Sequence, residues 1–168
     1  DNCSFDNGDY GLRFDDSDKF VVSNGYMLNN DVDGIIFSTD SDKHQFINNS
    51  IMNAARYGVQ IQGSSNNWNN FSGNNFTGNG DSDNEYAVLI NNNNNNNNKF
   101  FNNYFSDKSD DVYHVYDDNA GNYFNVTSYT ARNIIGGPTI GGNYWSGYTG
   151  SDFDGDGIGD ICDDDFDG

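Results

Sequence analysis

Basic residues, helix formers, proline and long apolar runs are all scarce in this 168-residue chain. Seven Lys and Arg stand against 26 Asp and Glu, a formal net charge of -19. This excludes a nucleic-acid binder of the phosphate-tracking kind, which needs clustered cations to displace counterions. Ala, Leu and Glu, the best helix formers, total only nine residues, which excludes a helical bundle. No apolar run reaches ten residues, too short to span a bilayer as a helix. The chain opens without a charged and apolar signal segment, as expected of a mature product or an excised piece. Acid–base chemistry is thinly supplied as well, with one Glu (Glu85) and two His, His44 and His114.

In their place the chain has Asn, Asp and Gly, together roughly 45% of the residues, against about 21% Leu, Ile, Val and Phe. So little apolar material does not build an ordinary globular core. Internal repetition resolves the difficulty. Gly11-Leu12-Arg13-Phe14, Gly34-Ile35-Ile36-Phe37, Gly58-Val59-Gln60-Ile61, Ala87-Val88-Leu89-Ile90 and Val112-Tyr113-His114-Val115 share a small-apolar-any-apolar pattern, at spacings of about 23, 24, 29 and 25 residues. Each unit carries a second apolar cluster opened by Asn, as at Asn49-Ser50-Ile51-Met52 and Asn103-Tyr104-Phe105. A third set comprises Val21-Val22, Phe46-Ile47, Trp68 to Phe71, Phe100-Phe101 and Tyr123-Phe124. Three short strands per unit, separated by turn residues, predict one coil of a right-handed parallel β-helix, with about five to six coils in all. The expected core stacks Phe14, Phe37, Ile61, Ile90 and Val115. The expected boundaries are 1–132 for the repeats, 133–150 for a Gly-rich aromatic closing segment and 151–168 for an acidic tail.

The repeats resemble the right-handed β-helix repeats of secreted carbohydrate-binding and sugar-hydrolysing proteins, including NosD-like proteins. The stretch Asn133-Ile134-Ile135-Gly136-Gly137-Pro138-Thr139-Ile140-Gly141-Gly142-Asn143-Tyr144-Trp145-Ser146 is similar to the closing segment of such helices in archaeal, particularly methanogen, surface proteins. The resemblance implies the fold strongly and an activity weakly, because enzymes, adhesins and structural proteins all use this architecture. The copper binding attached to NosD-like proteins finds no His/Met/Cys cluster here to select that metal.

The tail carries the sharpest chemical motif. Read as a twelve-residue loop, it places carboxylates of Asp152, Asp154, Asp156, Asp160 and Asp163 at positions 1, 3, 5, 9 and 12. Ile158 supplies a carbonyl at position 7, and Gly157 makes the turn at position 6. Calcium, a hard cation taking six to eight oxygens, is the expected cofactor. Asp163, Asp165, Asp167 and Gly168 begin a second, partial loop. The run from Asp152 to Gly168 resembles a thrombospondin type 3 repeat, in which acidic loops wrap calcium and cysteines staple neighbouring repeats.

Cys3 and Cys162 lie at opposite ends of the chain, with about five coils between them. At the strand spacing their separation is roughly 20–25 Å, whereas a disulfide needs Cα atoms within about 7 Å. A link from Cys162 of one subunit to Cys3 of the next avoids folding the tail back; a tail that does fold back, or partners for both thiols outside this sequence, are the alternatives. The expectation is therefore an extracellular structural protein, a sheath or filament subunit stacked head to tail. The alternative is a carbohydrate-binding or polysaccharide-cleaving module of a larger secreted protein.

Other features have smaller expected roles. The Asn91 to Asn98 run is read as an ordered turn with stacked amides. Lys19 and Lys43 are expected to neutralise the stacked Asp16/Asp40 and Asp18/Asp42 turns. Arg13, Gln60 and His114 are placed in one outward column with Ile36 and Leu89, a mixed surface that names no catalytic residue. Tyr10, Tyr57 and Tyr86 recur before the small residue of three coils, and Tyr144, Trp145 and Tyr148 cluster near the end. Turned inward they are core, the expected arrangement; turned outward they make a platform for polysaccharide.

Overall fold

A computed structural model describes residues 3–80, 82, 85–92, 94–106 and 114–146. The first coil consists of β1 (Ser4–Asp6), β2 (Tyr10–Asp15) and β3 (Val21–Ser23), and the second of β4 (Tyr26–Leu28), β5 (Asp33–Thr39) and β6 (Gln45–Ile47). The third comprises β7 (Ser50–Met52), β8 (Tyr57–Ile61) and β9 (Asn70–Ser72), and the fourth β10 (Asn75–Thr77), β11 (Val88–Ile90) and β12 (Lys99–Phe101). Then come β13 (Tyr104–Ser106), β14 (Val115–Asp117), a hairpin of β15 (Tyr129–Thr130) and β16 (Thr139–Ile140), and β17 (Tyr144–Trp145).

Equivalent strands pair in parallel along three sheets. Sheet one runs β1-β4-β7-β10-β13-β17, sheet two β2-β5-β8-β11-β14 and sheet three β3-β6-β9-β12. The protein is thus an all-β parallel solenoid. Among the described residues, four coils carry all three strands, and a fifth is completed on the third side by an isolated bridge between Lys99 and Tyr123. That is fewer complete coils than the repeat count suggested.

Burial follows from stacking like on like. One column runs Phe5, Met27, Ile51, Phe76, Phe105 and Trp145. A second runs Val22, Phe46, Phe71 and Phe100, with Phe124 stacked on its end. In sheet two, Phe14, Phe37, Ile61 and Ile90 align as the repeat predicts. The fifth unit departs from prediction by a register shift: Val115 pairs with Val88 and belongs to the Leu12, Ile35, Val59 column, so Asp117 stands beside Ile90. Asp117 accepts hydrogen bonds from the Asn119 amide and from Asn122 Nδ2, and burial raises its carboxyl pKa. A polar residue there ends the apolar column.

The small residues Gly11, Gly34 and Gly58 of the first three repeats lie where an added Cβ would press on the carbonyl oxygen of the equivalent residue one coil on. A Cβ on Gly34 would approach the Gly58 carbonyl oxygen to 2.7 Å and collide with Ile51, which restricts the position to glycine. At other corners, residues with positive φ recur one coil apart: Asn24, Asn48, Gly73 and Asn102, for example, and likewise Lys19, Lys43, Trp68 and Asn97. Asn and Gly tolerate this left-handed backbone best, one reason they dominate the composition.

Candidate functional site: polar ladders inside and outside the solenoid

The residue after the left-handed Asn48, Gly73 and Asn102 turns its side chain inward, and there the second use of asparagine is found. Asn49, Asn74 and Asn103 are almost wholly buried. Asn74 Oδ1 accepts from the Asn49 amide at 2.9 Å, and its Nδ2 donates to the Phe46 carbonyl at 2.9 Å and to Asn103 Oδ1 at 3.0 Å. Asn103 repeats the pattern with Asn74 and Phe71, and Asn143 with Asn103 and Phe100. Parallel ladders run through Asn69, Asn98 and Asn122 and through Asn66 and Asn95. Each amide satisfies backbone groups that strand pairing leaves open at the corner, where an unmet polar group costs about 1–3 kcal/mol. The Asn91 to Asn98 tract is accordingly ordered where described, with Asn95 and Asn98 fully buried.

The outer surface carries a ladder too. Asp18 Oδ1 accepts the Asp42 amide at 3.2 Å, Asp42 Oδ1 the Asn67 amide at 2.7 Å, and Asn67 Oδ1 the Asn96 amide at 2.7 Å. This corrects the role expected of Lys19 and Lys43. Among the described residues neither lysine forms an ion pair with Asp16, Asp18, Asp40 or Asp42; the Asp18 and Asp42 carboxylates accept backbone N–H groups instead, and both lysines serve as left-handed corner residues.

The main concentration of chemically capable side chains lies on the outer face of sheet two. Asp33, 0% exposed, receives a two-pronged contact from Arg56 Nε at 3.1 Å and Arg56 Nη2 at 2.9 Å. Arg56 also donates to Gln60 Oε1 at 3.0 Å, and its guanidinium sits 4.9 Å from the Tyr57 ring centroid. Burial pushes the Asp33 carboxyl pKa up, and the guanidinium opposes this; the hydrogen bond to Asp33 raises Arg56 in turn. Tyr57 stacks on Tyr86 at 6.3 Å and Tyr86 on Tyr116 at 5.4 Å. These tyrosines lie outside the core cluster, so the inward placement expected for Tyr57 and Tyr86 is corrected. Stacked face to face along the axis they present ring edges, whereas a sugar packs on a ring face. Tyr144 and Trp145 instead stack on Tyr104 and Phe105, and Tyr148 lies outside the described residues.

The outward column is Arg13, Ile36, Gln60, Leu89 and Tyr116. His114 is not in it; its ring packs 6.4 Å from Phe105 and 5.7 Å from Trp145, on the core side. Asp33 is committed to Arg56 across a coil boundary, which makes the pair a fastener between the second and third coils. Arg56→Met leaves a buried carboxylate uncompensated. A loss of about 2 kcal/mol in denaturant unfolding is expected, moderated by the partial exposure of the guanidinium.

The residues assigned to calcium by sequence, Asp152, Asp154, Asp156, Ile158, Asp160, Asp163, Asp165 and Asp167, lie outside the described residues, as does Cys162. Cys3 is exposed with a free thiol. Among the described residues no three His, Cys, Asp or Glu side chains converge as a metal site, and no helix is long and apolar enough to cross a membrane.

Stacked parallel coils bound by internal asparagine ladders define a parallel β-solenoid repeat protein. The chain belongs to the NosD family: the family model described as periplasmic copper-binding protein (NosD) matches residues 1–150. No curated protein and no solved structure matches it. The described residues do not fit copper. Both His44 nitrogens contact backbone groups, Met27 is buried in the core, and Cys3 lies in the first coil.

Proposed function

We infer that this chain is an extracellular structural module, a stiff NosD-like rod, and not a catalyst. The observation that carries the reading is the use made of its polar side chains. Asp33, Arg56, Tyr57, Tyr86 and Tyr116 join coils from outside, and the inward asparagines join them from inside.

In its finer form the module is a sheath or filament subunit assembled head to tail. Calcium fills the Asp152–Asp163 loop, five carboxylates of which otherwise repel one another. Cys162 of one subunit meets the exposed Cys3 of the next. A copy seated on the first coil would meet Phe5, Phe20 and Val21, all exposed, so the joint is apolar rather than a continued asparagine ladder. Electron microscopy and non-reducing electrophoresis of the native material test this together. A polymer that comes apart with chelator and reductant is expected; a monomer indifferent to both removes the assembly.

A carbohydrate-binding module is the second reading, favoured by the exposure of Tyr116 at the end of the tyrosine stack, together with Trp68 and Tyr123. Polysaccharide pull-down that fails on Tyr116→Ala supports it over the structural reading.

A further inference from the structure

One rung of the asparagine ladders is not an asparagine. His44 follows the left-handed Lys43, as Asn69 follows Trp68 and Asn98 follows Asn97. Asn69 accepts the His44 amide at Oδ1, 2.9 Å, and donates Nδ2 to the Ser41 carbonyl, 2.9 Å. Asn98 does the same to the Asn69 amide and the Asn66 carbonyl. His44 reproduces both bonds one coil earlier: Nδ1 accepts the Phe20 amide at 3.3 Å, and Nε2 lies 2.8 Å from the Ser17 carbonyl oxygen, which can only accept. These partners fix the tautomer with the proton on Nε2 and a bare Nδ1.

We propose that His44 is an acid-sensitive latch holding the β3 corner of the first coil to the second. An asparagine carbonyl does not titrate in this range, but imidazole Nδ1 does. Its protonation sets an N–H against the Phe20 N–H, so the amide loses its acceptor and the corner is released. The ring is 0% exposed and walled by Phe14 from β2 at 4.5 Å, Phe37 from β5 at 5.6 Å and Phe46 from β6 at 6.4 Å, with Phe20 stacked on it at 5.7 Å. The charged groups acting on it are Asp18 and Asp42 on the first- and second-coil turns. They favour the imidazolium, as does the Ser17 contact, but burial outweighs them and lowers the pKa. The neutral ring is therefore the folded form. The corner keeps its full stability above the open-state pKa of about 6.5 and loses it as the pH falls from there to the depressed folded value.

The test is amide exchange on the whole chain from pH 8 to pH 4.5, with His44→Asn alongside. In the wild type, protection of the Phe20 amide and of β3 is expected to fall by up to about tenfold per pH unit below about 6.5, while β9 and β12 hold theirs. His44→Asn, which restores the ladder's own side chain, is expected to keep β3 protection flat over the range. An identical acid response in His44→Asn overturns the proposal, and so does equal loss in β9. Imidazole nitrogen shifts of the wild type supply a check that needs no variant: a neutral ring with the proton on Nε2 at pH 7.5 supports the latch, and a charged ring or the other tautomer overturns it.

Discussion

Asn98→Ala is expected to destabilise the protein by about 3–5 kcal/mol, while Asn94→Ala, four residues earlier in the same asparagine tract, changes stability by less than about 0.5 kcal/mol. Asn98 is fully buried, accepts the Asn69 amide at 3.0 Å and donates to the Asn66 carbonyl and Asn122 Oδ1, each at 3.0 Å. Alanine leaves the Asn69 N–H and the Asn66 carbonyl without this partner and opens a void as well. Asn94 is exposed and takes an ordinary backbone conformation. Chemical denaturation of the two variants separates the accounts of the tract: equal, small effects would make it a solvated run. A loss this large is a substantial fraction of the stability of a typical domain, so Asn98→Ala is expected to be partly unfolded at physiological temperature.

Phe71→Ala is expected to cost a similar 3–5 kcal/mol for a different reason. Phe71 is fully buried between Phe46, at a centroid distance of 4.6 Å and 6° between planes, and Phe100, at 4.4 Å and 2°. Removing the middle ring of a stack takes contact area from both neighbours at once. The rigid backbone ladders on either side limit how far the coils can collapse into the space. Phe71→Leu retains much of the apolar volume and is expected to cost less than half as much. Thermal unfolding of both variants checks this, and near-equal losses would show that ring stacking matters little.

How far the sequence led depended on whether a position is apolar. The stack of Phe14, Phe37, Ile61 and Ile90 was legible because a small residue precedes each by three, and the three strands per coil were legible because apolar clusters recur. The fifth unit misled because Val112 to Val115 satisfies the same pattern, while the residue that takes the inner position, Asp117, is one that no hydrophobic criterion selects. The buried asparagines were legible as turn residues and, in the Asn91 to Asn98 run, as stacked amides. That the asparagine after such a corner turns inward became visible only from the structure. The missed signal is a dipeptide: a left-handed residue followed by Asn, as in Asn48-Asn49, Gly73-Asn74, Asn97-Asn98 and Asn102-Asn103. On that pattern Lys43-His44 is recognisable as a ladder position with the wrong side chain. The Asp33–Arg56 fastener could not be found from spacing, since neither residue recurs in the neighbouring coils.

This polar chain folds because its asparagines work as internal rungs between coils. Exchange of the asparagine side-chain amide protons, followed residue by residue by NMR, tests it most directly. The Nδ2 protons of Asn49, Asn74, Asn98 and Asn103 are expected to be protected by orders of magnitude relative to those of Asn94. Exchange of all five at the rate of a free amide would contradict it.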